Sequence, residues 1–190
     1  MKMSCPDLFE KVANEIVRRR NLGAFDAQHV ANIMWSYSTV KLPNPALYDK
    51  IAEEIVRRPL KEFQPQNISN IAWAFAASGL AAPRESQADL FDKMASEVIT
   101  RNLRSFKPQE ICNLLWAFAK AEMPHAEMFE LFAKEVIQRG VRTFIEQELS
   151  SILYAYAAAG LPHPTLFEMM EAELIQNRDF GPFKPQHTGE

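Results

Sequence analysis

Apolar residues recur at helical spacing from the start of the chain. Leu8, Phe9, Val12, Ala13, Ile16 and Val17 form a broad stripe after Pro6, which predicts an amphipathic helix, helix A. The same stripe opens again at Leu47-Tyr48, Leu90-Phe91, Met128-Phe129 and Leu166-Phe167. Pro6, Pro45 and Pro164 suit a first helical turn, where a missing N–H costs nothing. A second helix, B, follows each time. In its first copy Val30, Ile33, Met34 and Tyr37 lie on one face, with Gln28, Ala31 and Trp35 roughly opposite. Two apolar faces on one helix require neighbours on two sides. Gly79 and Gly160 end helix B as C′ glycines do. Ala74, Ala76, Ala117, Ala119, Ala155 and Ala157 permit close approach of neighbouring B helices.

Between A and B stands a recurring phrase: Phe25-Asp-Ala-Gln28, Phe63-Gln-Pro-Gln66, Phe106-Lys-Pro-Gln109, Phe144-Ile-Glu-Gln147 and a fifth copy at Phe183-Lys-Pro-Gln186. An aromatic follows seven residues after each of the first four glutamines, at Trp35, Trp73, Trp116 and Tyr154. The Phe-to-Phe steps are 38, 43, 38 and 39 residues. A helical hairpin of this size cannot bury its own apolar faces and must stack on its neighbours. The expected fold is all-α, a right-handed α-solenoid of about four and a half helix-turn-helix repeats of ~38 residues. The repeats fall at about 6–44, 45–83, 88–125, 126–163 and 164–190 (partial), one uninterrupted array over 1–190. Extra residues around Pro83-Arg-Glu-Ser-Gln87 fall between two hairpins, where a solenoid tolerates insertion. Both ends read as cuts through an array, so the chain is expected to be a fragment of a longer protein.

Charge narrows the function classes little. A net charge of −3 argues against a generally basic nucleic-acid binder but leaves room for a local basic stripe. Cys5 and Cys112 occupy unrelated repeat positions without a CxxC partner, as reduced thiols of an intracellular protein would. No apolar run approaches a membrane span. His29, His125, His163 and His187 are scattered, and no phosphate loop, HExxH or Cys/His metal spacing appears. The expectation is therefore no enzyme, no cofactor, no metal and no small-molecule substrate.

Two sets of side chains recur in phase. Arg19, Arg58, Arg101 and Arg139 each stand ten residues after the helix-A aromatic. Stacked at roughly 8–10 Å, they would follow the phosphates of a single strand. Equally, Glu15, Glu54, Glu97 and Glu135 precede them by four residues in the favoured ion-pair order. The second set is a polar stripe on helix B, with His29 and Asn32, Asn67 and Asn70, Glu110 and Asn113, and Glu148 and Ser151. A varying polar group beside a nearly constant Asn suits base readout, and helical-repeat RNA readers assign about one base per repeat. The competing reading makes the asparagines spacers bonded to neighbouring backbone. Gln28, Gln66, Gln109 and Gln147 are expected to satisfy backbone groups near the helix-B start, and the tryptophans to be core.

The units Pro-x-Leu-Phe…Arg…Phe-x-Pro-Gln-x-Ile-x-Asn-Ile-x-Trp-Ala-Phe-Ala, clearest at residues 64–80 and 107–119, resemble octotricopeptide repeats. They also resemble the related heptatricopeptide and FAST-kinase-like repeats of proteins carrying a RAP domain. The Pro-Pro-Pro-Glu-Trp signature of algal octotricopeptide repeats is replaced here by Pro164-Thr-Leu-Phe167 and its equivalents. The resemblance implies an α-solenoid of mitochondria or chloroplasts that binds single-stranded organellar mRNA or rRNA and controls its processing, stability or translation. A protein-interaction scaffold, with its groove occupied by a peptide or helix, is the alternative.

Overall fold

The computed structural model describes residues 6–80 and 85–177. Its elements are α1 (Pro6–Arg18), α2 (Ala27–Thr39), α3 (Pro45–Arg57), α4 (Pro65–Ala77), α5 (Glu85–Ile99), α6 (Pro108–Lys120), α7 (Ala126–Arg139), α8 (Glu146–Ala158) and α9 (Pro164–Asn177). No strand occurs among the described residues. The odd-numbered helices form an A layer, α1 to α3 to α5 to α7 to α9. The even-numbered ones form a B layer, α2 to α4 to α6 to α8. This is the solenoid that the period demands. Successive B helices pack more closely than successive A helices, across buried Ala31, Ala72, Ala74, Ala117 and Ala155. Closer spacing in one layer curves a stack towards that layer.

Each hairpin is clasped by an edge-to-face aromatic pair joining A to B: Phe9 with Tyr37, Tyr48 with Phe75, Phe91 with Phe118, and Phe129 with Tyr156. Centroid separations of 4.9 to 5.1 Å are those that ring quadrupoles favour. Where the B partner is tyrosine, its hydroxyl donates to the backbone oxygen of the A partner, Tyr37 to Phe9 at 2.6 Å and Tyr156 to Phe129 at 2.7 Å. Between repeats, the Ser38 hydroxyl donates to the Ala74 carbonyl oxygen at 2.6 Å and lies 2.6 Å from the Tyr48 hydroxyl.

Helix A enters helix B through a short 3₁₀ turn, at Leu60–Glu62, Leu103–Ser105 and Val141–Thr143. The turn hands the chain to the Phe of the recurring phrase, and Phe63, Phe106 and Phe144 are fully buried. Helix B closes with a residue in the left-handed region, and the N–H two residues after the C-cap returns to the last turn, Leu42 to Tyr37, Met123 to Phe118 and Leu161 to Tyr156. Gly79 (φ 70°) and Gly160 (φ 65°) take that conformation, as expected. Lys41 (φ 56°) and Glu122 (φ 58°) take it at the equivalent position without glycine's freedom. The insertion lies between α4 and α5, with residues 81–84 outside the described residues. Glu85, Ser86 and Gln87 extend α5 by three residues before the position in phase with Pro6, Pro45 and Pro164. The fifth Phe-x-x-Gln copy lies outside the described residues.

Candidate nucleic-acid interface

The arginine row stands where the period placed it, but most of its donors face protein. Arg58 Nε donates to Glu54 Oε1 at 3.0 Å, Nη1 to the Phe25 carbonyl oxygen at 2.6 Å and Nη2 to that of Leu22 at 2.5 Å. Arg101 repeats this with Glu97 (2.8 Å), Phe63 (2.7 Å) and Leu60 (2.5 Å). Arg139 does so with Glu135, Phe106 and Leu103, each at 2.6 Å. The three side chains are only 14 to 17% exposed. Each one staples its helix A to the A-to-B turn of the preceding repeat, which corrects their assignment as a phosphate ladder: the donors a phosphate would use are already engaged. Arg19 differs. It pairs with Glu15 at 3.2 Å, stays 43% exposed, and lies over the Phe25 ring at 5.4 Å.

The varying position of helix B is also structural. His29, Asn67, Glu110 and Glu148 are the third residues of their helices, and each accepts the N–H of the residue just before its helix. His29 Nδ1 accepts from Asp26 at 3.4 Å, Asn67 Oδ1 from Gln64 at 3.0 Å, Glu110 Oε2 from Lys107 at 2.8 Å and Glu148 Oε2 from Ile145 at 2.9 Å. This satisfies an orphan donor of the first turn. Only Asp26 supplies the reciprocal bond, to His29 N–H at 2.8 Å. Base readout by these four residues is corrected accordingly: one acceptor with nothing else in common explains why imidazole, amide and carboxylate alternate there. In the same way His125 Nδ1 and His163 Nδ1 accept the Met128 and Leu166 N–H groups at the starts of α7 and α9.

What remains open on the B layer is a face made of positions four and three residues apart, which share one side of a helix. Its members are Gln28, Asn32 and Trp35; Gln66, Asn70 and Trp73; Gln109, Asn113 and Trp116; Gln147, Ser151 and Tyr154. The four glutamines are exposed, and the middle row is exposed at Asn32 and half-buried at Asn70, Asn113 and Ser151. Ser151 Oγ donates to the Gln147 carbonyl oxygen at 2.9 Å. Among the described residues, no hydrogen bond engages the side-chain amides of Gln28, Gln66, Gln109, Gln147, Asn32, Asn70 or Asn113. The glutamines therefore do not cap the backbone, contrary to expectation, and the asparagines do not act as bonded spacers.

The aromatic row is split: Trp73 and Trp116 pack against the core, as expected, whereas its two ends are exposed. Trp35 is 49% exposed and Tyr154 50%. Trp73 and Trp116 are half-buried and stacked, with ring centroids 6.1 Å apart and planes 29° apart. Repeat spacing alone does not separate the core-packed Trp73 and Trp116 from the exposed Trp35 and Tyr154.

Elsewhere the chemistry is quiet. Cys112 is buried, its thiol pushed up by burial and by the neighbouring Glu148 carboxylate. No group of three His, Cys, Asp or Glu side chains able to hold a metal ion occurs among the described residues. No described helix is long and apolar enough to cross a membrane.

No curated protein matches the sequence. The family model for the RNA-editing substrate-binding complex 6 protein matches residues 3–168, most of the array. A two-layer helical stack presenting a row of unpartnered amides beside a row of aromatics is therefore the surface of an RNA-associated helical-repeat protein, and the chain belongs to the RNA-editing substrate-binding complex 6 family.

Proposed function

We propose that the array binds single-stranded RNA along the open face of the B layer. One observation carries the reading: amides and aromatic rings lie in parallel rows across successive repeats, and no group among the described residues uses the amides. Exposed bases stack on aromatic side chains and are hydrogen-bonded on their edges, whereas a paired helix hides those edges. Asn32, Asn70, Asn113 and Ser151 would meet base edges, about one per repeat. The family name supports an RNA-handling assembly as the setting. The octotricopeptide-like repeat phrase supports a mitochondrial or chloroplast factor in RNA processing, stability or translation, holding RNA without catalysis or a cofactor. The test is fluorescence anisotropy with a labelled single strand of about ten nucleotides and its duplex. The single strand should bind, the duplex should not, and Trp35→Ala with Tyr154→Ala should weaken binding by roughly 30-fold or more at ~1–3 kcal/mol per stacked base. Equal binding of duplex and single strand would refute the reading.

A further inference from the structure

We infer that the phosphate backbone of a bound strand runs along the edge formed by the A-to-B turns, held by Lys61, Arg104, Lys107 and Arg142. The inference rests on the single-strand reading and names the site that replaces the stapled arginines. Lys61, Arg104 and Arg142 each occupy the middle of a 3₁₀ turn, so stacking repeats them once per hairpin, at roughly helix-packing distance. Lys107 immediately precedes α6. All four are exposed. Among the described residues, the side chains of Lys61, Arg104 and Lys107 have no ion-pair partner, and Arg142 meets Glu173 at 2.9 Å while 73% exposed.

Three features aim this edge at a polyanion. The turns lead directly into α4, α6 and α8, so the positive ends of three aligned helix dipoles lie beside these cations. The first-turn glutamines Gln66, Gln109 and Gln147 begin the open amide and aromatic face at the same edge, so phosphates held there leave bases lying inward across it. The opposite edge, formed by the B-to-A connections and the A-helix starts, is acidic. Glu85, Asp89, Glu122, Glu127, Glu130 and Glu168 are exposed there, against Lys41 and Lys120. A strand shifted towards that edge would meet like charge. Glu62 and Glu146 also lie on the basic edge, and together with the acidic remainder they account for a net charge that hides the track.

The experiment measures single-strand affinity against salt for the full chain and for the triple variant Lys61→Gln, Arg104→Gln and Lys107→Gln. These positions are exposed, so the fold should persist, checked by an unchanged urea midpoint. With about 0.7 in log–log salt slope per single-strand contact, the triple variant should flatten the slope by roughly 2. It should lose on the order of 100-fold in affinity near 0.1 M salt, with base preference unchanged. A control, Glu127→Gln with Glu130→Gln on the opposite edge, should leave the slope as it is. If the triple variant keeps the parent slope and affinity while the parent binds RNA, the track is refuted and the single-strand reading stands. If the parent chain binds no single strand, that reading fails and takes the track with it.

Discussion

Arg101 donates to the carbonyl oxygen of Phe63, 38 residues earlier, at 2.7 Å. With the bonds to Leu60 and Glu97, this contact links one hairpin to the next, as the equivalent bonds of Arg58 and Arg139 do across 33 residues. Hydrogen bonds to charged groups contribute about 1.5–3 kcal/mol each, not additively. Arg101→Gln leaves the Phe63 carbonyl and the Glu97 carboxylate without this donor and the Leu60 carbonyl with only the Phe63 N–H, and should cost about 2–4 kcal/mol in urea denaturation. Arg19→Gln removes an exposed ion pair and an exposed contact with the Phe25 ring and should cost about 1 kcal/mol. If Arg101→Gln leaves the urea midpoint unchanged and weakens RNA binding, the staple is not its role.

The helix-B caps give a second separation of structure from readout. Asn67→Ala and Glu110→Ala each remove the side chain that accepts the N–H before the helix, at 3.0 and 2.8 Å. Loss of a helix cap costs roughly 1 kcal/mol. Thermal unfolding should show that cost in both variants, and RNA sequence preference should not change. An altered preference at one nucleotide position would return these residues to base readout.

How legible was this in the sequence? The period, the proline starts and the glycine stops at Gly79 and Gly160 were written in residue identity, and the solenoid followed from them. The Arg58, Arg101 and Arg139 staples were half visible. Their glutamates lie four residues back, but their other acceptors are backbone oxygens a repeat away, which no residue type announces. The caps were hidden because the residues before α4, α6 and α8 are Gln64, Lys107 and Ile145, which make no side-chain cap. The usual Ser/Thr signature at the first position is thus missing. The exposure of Trp35 and Tyr154 was hidden because they keep the phase of Trp73 and Trp116, which do pack against the core.

Lys41 and Glu122 hold left-handed backbone at the helix-B stop, φ 56° and 58°. Their equivalents are Gly79 and Gly160. A side chain in this region costs on the order of 1 kcal/mol because Cβ crowds the following carbonyl. Lys41→Gly and Glu122→Gly should each raise stability by about 0.5–1 kcal/mol, whereas Gly79→Ala should lower it. The check is the urea midpoint at constant slope. A drop on Lys41→Gly would mean that the side chain contributes more than the strain costs.

Alkaline conditions should unfold the array through its buried acids. Burial pushes Tyr37, Tyr48 and Tyr156 above their ordinary 10.0, and pushes the Cys112 thiol above 9.0. In each case the folded state holds its proton more tightly than the unfolded chain. Stability from these groups is therefore complete below about pH 9 and falls as pH rises past 9 for Cys112 and past 10 for the tyrosines, where the unfolded forms ionise. Urea midpoints should be unaffected by these groups up to pH 9 and decline above it. Iodoacetamide at pH 8 should leave the Cys112 peptide unmodified in the folded chain and label it in urea, as read by mass spectrometry. Rapid labelling of Cys112 in the folded chain would mean that α6 and α8 separate far more readily than their close packing allows.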